Sequence, residues 1–353
     1  MKTALIFCLI LFTLPACSQN TDQIASIFLD YHGENPGAAV AIIHDSNIIY
    51  HESFGMADRE KQLSVQSTTN FRLPSISKQF TATAILILEK KNLLKLDWTL
   101  DKLFDNFPEY GNTMQIQHLL NHTSGIWDYE DFVPDNGPQV SDADVLEIIK
   151  NQPHVYFEAG SQFRYSNSAY ALLALIVEKY SGQKFQDFLK NEIFDPLEMK
   201  NSVAFVPGYN EVLNRAFGYS QEKGEWIKKD QSSTSAVLGD GGIYSNVPDL
   251  FLWDRALHEG KILPRETIER TFSKSKLNNG HEILYGLGWH LKEYEGEKVV
   301  YHTGSTTSFR NIFYRIPSKK LSIIILTNRN KPEEENMVDL AERVLMKFQD
   351  MDK

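Results

Sequence analysis

Apolar and polar positions divide the chain into two strand-rich ends around a helix-rich middle. QIASIFLDY (23–31) has the spacing of a first helix. GAAVAIIHDSNIIYHESFG (37–55) is two β-rich runs meeting at Asp45-Ser46-Asn47, the pattern of a hairpin. Residues 75–91 are predicted to form a helix. Ile76, Phe80, Ile87 and Leu88 recur at helical spacing, and Lys90, Lys91 and Asn92 close it with a cationic end.

From about residue 96 to residue 280 the text changes to short helical segments and loops. MQIQHLLNHTSG, SDADVLEIIKNQ, SAYALLALIVEKYSG, FQDFLKNEIF and DLFLWDRALHEG follow one another, with Gly125, Gly182 and Gly260 where helices are expected to stop. Strand character returns in YGLGWHLKEY, KVVYHTG, FRNIFYRIP and KLSIIILTN, and EEENMVDLAERVLMKFQ (333–349) is predicted to be a last helix. The expected fold is α/β of the α+β kind. One antiparallel sheet draws strands from both chain ends, terminal helices cover it, and a mostly helical domain (about 96–280) is inserted into a body spanning 22–349. A ligand cleft belongs between the two parts.

The first residues are expected to be an export signal rather than fold. Lys2 supplies the positive start and Ala4 to Leu14 the apolar run, too short to span a bilayer comfortably. LPAC then places Ala16 before Cys17, which resembles the lipobox of bacterial lipoproteins, although Pro15 is unusual there. Cleavage after residue 16, acylation of Cys17 and a lipid-anchored place in the cell envelope are expected, with plain secretion as the alternative.

The only cysteines are Cys8 and Cys17, so a mature chain has no internal disulfide and no thiolate metal site. The net charge of −10 speaks against a nucleic-acid partner. Ten histidines are scattered without ligand spacing and H-E-x-x-H is absent, so no metal or cofactor is expected. The protein is expected to be a monomer whose partner is a small-molecule or peptide substrate.

Candidate chemistry starts at RLPSISKQF. S-x-x-K alone is weak, and Ser75/Lys78, Ser181/Lys184, Ser220/Lys223 and Ser273/Lys276 all match it. Only the first pair opens an apolar helix. Residues three apart share a helix face, so hydroxyl and amine can meet. A lysine buried there needs a partner, and burial favours its neutral, basic form.

Two further stretches are Tyr165-Ser166-Asn167 in FRYSNSAY and His302-Thr303-Gly304 at the end of a predicted strand. Either alone is noise. In the order S-x-x-K, Y-x-N, H-T-G they resemble the active-site signature of the penicillin-recognising serine hydrolases. The nearest branch holds class C β-lactamases, DD-peptidases and related esterases. LLNHTSGI, DPLEMKNS and GDGGIYSNVPDLFLW extend that resemblance to roughly residues 25–330.

The resemblance implies acyl transfer without metal or cofactor. Ser75 would be the nucleophile, and Lys78 or Tyr165 its base. Asn167 would hold Lys78 and contact the substrate. His302, Thr303, Gly304 and Ser305 would line the substrate edge, and the Ser75 and Ser305 N–H groups would take the oxyanion. His302 departs from the lysine many β-lactamases carry. Carboxylate attraction is then expected to be weaker and pH-dependent, which favours a peptidase or esterase over a β-lactamase. Arg310 is a candidate carboxylate binder. His122 and Ser124 in NHTSG are read as helix-end residues rather than triad members, and no G-x-S-x-G occurs. A lipid-tethered sensor without turnover is the alternative class of function.

Overall fold

The computed structural model describes residues 23–331 and 336–350; the stretch expected to be an export signal and Cys17 lie outside them. Strands β1 (Ala38–His44) and β2 (Asn47–Phe54) form the expected hairpin. Asp45 and Ser46 at its tip both have positive φ, 46° and 62°, as the tight turn matching the twist of two antiparallel strands requires. A two-residue strand, β3 (Phe71–Arg72), pairs with β4 (Ile243–Ser245). β5 (His290–Tyr294), β6 (Glu297–Ser305), β7 (Arg310–Ile316) and β8 (Leu321–Thr327) complete the main sheet. Its order is β5-β6-β7-β8-β1-β2, antiparallel throughout. β1 and β8 come from opposite ends of the chain and lie side by side within it.

Period-two alternation sends β1 residues to two different cores. Ala38, Val40 and Ile42 face the chain termini, where Phe28, Leu340, Val344 and Leu345 cover the sheet. Ala39, Ala41 and Ile43 face the helical middle with Phe80, Ile85 and Trp253. Both faces are covered, so these strands read as continuous apolar runs.

The helices that matter for the site are α1 (Lys78–Lys90), α2 (Ile116–Leu120), α3 (Asp142–Lys150), α4 (Asn167–Ser181), α5 (Val247–Glu259) and α6 (Met337–Gln349). α1 is buried from Lys78 to Leu88, all the way round. It is a central helix rather than an amphipathic surface one. Gly182 and Gly260 stop α4 and α5 in the left-handed conformation, with φ of 69° and 71°.

Several sequence expectations are corrected. The first helix is present: residues 23–25 are α-helical and run into a 3-10 helix over Ser26–Tyr31 that is broken at Phe28. The 75–91 helix begins with a 3-10 turn over Pro74–Ser77. In YGLGWHLKEY the strand starts only at His290; Gly288, with φ 82°, bends the segment before it. Gly125 does not end α2. The left-handed residue after that helix is His122, φ 60°. Gly125 is needed further on, where a Cβ would lie 2.1 Å from the Phe157 carbonyl oxygen. The middle also carries strands: β4, Val203–Ala204, and a hairpin of Tyr219–Glu222 with Glu225–Lys228. Among the described residues no helix is long and apolar enough to cross a membrane.

Candidate active site

From Thr69 to Leu88 every residue is buried except Ser75. The local sequence explains this. β3 is held in the interior by β4, and Pro74 starts the 3-10 turn that lifts one side chain out before α1 dives into the core. Arg72, buried just upstream, fixes that approach. Its guanidinium donates to the Ser235 hydroxyl (2.6 Å), the Ser235 carbonyl (3.1 Å) and the Gly241 carbonyl (3.1 Å).

Lys78 follows one turn later and is completely buried. Its Nζ donates to Ser75 Oγ at 3.1 Å, to Asn167 Oδ1 at 2.7 Å and to the Asp240 carbonyl at 3.0 Å. Three donors meet three acceptors, so a buried ammonium is satisfied. Asn167 is the first residue of α4, whose N-cap Ser166 accepts from the Ala169 N–H at 3.2 Å. The Asn167 N–H is taken by Asp128 Oδ2 at 3.2 Å. The starts of α1 and α4 thus bring Ser75, Lys78 and Asn167 together.

Tyr165 enters from the same turn. Lys78 Nζ lies 4.9 Å from its ring centroid. The hydroxyl is buried and makes no direct hydrogen bond, although the residue as a whole is only half-buried. Burial pushes the phenol pKa up; the Lys78 charge and the proximity of Lys78 and Ser75 pull against that. The phenol is protonated at rest.

His302 is almost fully buried, and its hydrogen bonds define its state. Nδ1 lies 2.7 Å from the Thr303 carbonyl oxygen, which only accepts, so Nδ1 carries the proton. Nε2 then accepts from the Tyr285 hydroxyl at 3.1 Å. Burial, reinforced by His290 and Lys78, holds its pKa well below the usual imidazole value. The pH-dependent carboxylate attraction expected of His302 is therefore corrected: this imidazole stays neutral over the ordinary pH range. His290 is likewise pushed down, to about 4, by burial and by Lys78.

β5 stops pairing at His290–Tyr301, so the outer edge of β6 from His302 to Ser305 has no strand partner among the described residues. The inner edge pairs with β7 through Ser305 and Arg310. Gly304 runs directly against the segment before Ser75; a Cβ there would lie 2.2 Å from the Leu73 carbonyl oxygen. Asn311 on β7 donates to the Arg72 carbonyl at 2.7 Å, a second tie between the sheet and that segment. Thr303, Gly304 and Ser305 are thereby placed beside Ser75. Arg310 donates to the Thr306 and Phe309 carbonyls and braces that turn.

Several site residues escaped the sequence reading. Asp240 supplies the third Lys78 acceptor through its carbonyl, and its carboxylate accepts from the Tyr129 hydroxyl at 3.0 Å. Its flanking glycines in LGDGG were the available signal. Asp128 and Glu130 stand beside Asn167. Burial first, then the neighbouring carboxylates, pushes Glu130 and Asp240 up to about 7, while Lys78 pulls both back. His122, set aside as a turn residue, is fully buried with its ring centroid 4.2 Å from that of Tyr165. Ser124 is buried too and plays no part in a triad. No cluster of three metal-ligating side chains occurs among the described residues.

Asp142 behind this network gives a stability test. Its carboxylate accepts from the Leu238 and Gly239 N–H groups (2.9 and 3.0 Å), yet burial pushes its pKa from 3.8 up to about 7. Between pH 4 and 7 the folded protein keeps a proton that the unfolded chain has released. Stability therefore falls as pH rises through that window. Urea unfolding at pH 4.5 and pH 7 should show a larger loss for the wild type than for Asp142→Asn. Equal losses would remove Asp142 from the pH response.

A family model described as Beta-lactamase matches residues 24–345. The chain belongs to the beta-lactamase family. Within it, the chain is 32% identical over 317 residues to penicillin-binding protein 4* of Bacillus subtilis, covering 85% of this chain and 70% of that one. It is 24% identical over 306 residues to a D-aminopeptidase of Gluconobacter oxydans, covering 83% of this chain but only 56% of that longer protein. The octameric penicillin-binding protein homologue from Pyrococcus abyssi superposes with a TM-score of 0.80 at 26% identity, covering 94% of this chain and 77% of that one. Membership places this protein among serine hydrolases, and the antiparallel sheet with its helical layers is the fold of the family.

Proposed function

We propose that this beta-lactamase family member hydrolyses amide bonds next to D-configured residues through an acyl-enzyme on Ser75. The observation that carries this reading is the single lysine amine joining Ser75 Oγ to Asn167 Oδ1 inside a buried pocket. Ser75 Oγ attacks the carbonyl carbon from the form of the coupled Lys78–Tyr165 pair that has released one proton, so that the Ser75 proton restores the pair to ammonium and phenol. The oxyanion is taken by the Ser75 and Ser305 N–H groups, which the close approach of Gly304 to Leu73 keeps side by side. Tyr165 returns the proton to the leaving amine. Water then enters along the same path and frees Ser75. Asn167 and the open edge of β6 orient the substrate, the latter by main-chain pairing.

The neutral His302 supports the choice of substrate. A β-lactam or a peptide ending in a carboxylate gains no fixed cation from it, so uncharged amides are favoured. The name of one relative, a D-aminopeptidase, points to the same amide chemistry. A sensor without turnover is disfavoured because Ser75, Lys78, Tyr165 and Asn167 are all present and adjacent.

Turnover of a D-alanine anilide, an acyl-D-Ala-D-Ala peptide, a short p-nitrophenyl ester and a cephalosporin should be compared side by side. The D-alanine anilide should give the highest kcat/KM, at least tenfold above the cephalosporin. A faster cephalosporin would make the protein a β-lactamase.

Gly304→Ala tests the oxyanion geometry. The added carbon must displace β6 from the Leu73 carbonyl, at about 1–3 kcal/mol of stability. Turnover should fall by about 10²–10³-fold, as for loss of one oxyanion donor. Wild-type turnover in this variant would separate β6 from catalysis.

Export, acylation at Cys17 and a monomeric state belong to the same proposal. Mass measurement of the mature N-terminus reads the first two, and light scattering distinguishes a monomer from an octamer like that of the Pyrococcus relative.

A further inference from the structure

His122 is an expensive choice for a turn. It sits just after α2 at φ 60°, where glycine or asparagine is the ordinary residue. It is completely buried, and its ring Nε2 has no hydrogen-bond partner. Asparagine would turn the chain here with less backbone strain and no large ring to accommodate.

What the histidine does instead is hold the residues on both sides of Tyr165. Its carbonyl accepts from the Arg164 N–H at 3.0 Å. Its ring Nδ1 accepts from the Ser166 N–H at 3.2 Å. The ring lies against that of Tyr165, 4.2 Å between centroids at a 38° tilt. Tyr285 and Tyr170 close around it with centroids at 4.6 and 5.1 Å. Because Nδ1 accepts, the imidazole is neutral and its proton is on Nε2, among these rings. An N–H facing aromatic rings gains a weak interaction in place of an ordinary acceptor. Backbone on either side and ring face together leave Tyr165 little freedom to move away from Ser75 and Lys78.

We infer that His122 is a positioning residue for Tyr165, acting through the Ser166 N–H to fix where the phenol stands relative to Ser75. This rests on the acyl-transfer role given to Tyr165. His122 touches neither Ser75 nor substrate in this scheme, so its effect is on placement rather than proton transfer.

The test is a double-mutant cycle on amide turnover with melting curves for every variant. His122→Phe keeps a ring and removes the acceptor; its kcat should fall roughly tenfold to a hundredfold, as misplacement of a reacting group does, with KM within threefold. His122→Asn puts an oxygen where Nδ1 was, and should recover a good part of that loss. In the Tyr165→Phe background, His122→Phe should cost less than a further twofold, since the group it positions is gone. Amide exchange at Ser166, measured without substrate, should quicken in His122→Phe and return toward wild type in His122→Asn.

Multiplicative losses in the cycle, wild-type kcat in His122→Phe, or no recovery in His122→Asn would each overturn the inference. If His122→Phe fails to melt cooperatively, His122→Gln, which moves the acceptor outward by one bond, takes its place in the same cycle. Absence of turnover in the wild type would instead reject the acyl-transfer reading, and the exchange measurement would still decide whether His122 holds Ser166.

Discussion

Replacing Lys78 with methionine should lower kcat/KM by about 10³-fold or more while leaving a cooperatively folded protein. The side chain is completely buried, and methionine fills a similar volume without charge. Two stability effects oppose one another. Removing a buried ammonium relieves its desolvation, but Asn167 Oδ1 and the Asp240 carbonyl lose a donor. The melting temperature should therefore move by only a few degrees. The chemistry has no such offset, because Nζ is the only amine hydrogen-bonded to Ser75 Oγ among the described residues. Lys78→Arg should not rescue it: a planar guanidinium cannot reproduce three bonds from one nitrogen, and it does not give up its proton. Circular dichroism melts alongside steady-state kinetics check both halves. Turnover within tenfold of wild type would mean that the lysine is structural.

The second large effect separates stability from activity in a single variant. The Tyr165 hydroxyl is buried without a direct hydrogen bond, so Tyr165→Phe removes a group that weighs against the fold. The variant should be as stable as the wild type, or more stable by about 1 kcal/mol. Its amide turnover should fall by about 10²–10⁴-fold, the range of a lost general acid or base. A p-nitrophenyl ester should suffer less, because its leaving group needs no proton. Equal losses on amide and ester would place the role of Tyr165 outside leaving-group protonation.

The sequence exposed some of this site and concealed the rest for identifiable reasons. S-x-x-K occurs four times, and apolar context was enough to single out Ser75/Lys78. The structure shows why the other copies differ. The Ser181 hydroxyl serves the Gln183 N–H and Lys184 pairs with Glu178 at the surface, while Ser273 bonds the Glu269 carbonyl. The hairpin of β1 and β2 was readable because its turn is local. That β1 lies against β8 could be anticipated as two chain ends sharing a sheet, but strand order and register depend on long-range packing that period-two patterns do not carry. Asp240 had a local signal only in its flanking glycines, while Asp128 and Asn311 matter through distant partners that nothing in their neighbouring residues marks. His302 lies on β6, near the strand end that H-T-G suggests, but its burial removes the pH-dependent charge expected of it. Its charge depends on burial and on His290 and Lys78, none of which is visible in H-T-G. His122 was dismissed because Thr, Ser and Gly beside it resemble a turn; the turn is real, and the imidazole is what a turn does not require.

The central claim is that Ser75 alone becomes covalently acylated, and trapping tests it most directly. The purified protein is treated with a fluorophosphonate, in which serine oxygen attacks phosphorus and fluoride leaves, and is then examined by intact mass and peptide mapping. This account requires one adduct per chain, on the peptide containing Ser75, and none in Ser75→Ala. An adduct that persists in Ser75→Ala, or one that maps to any other residue, contradicts it.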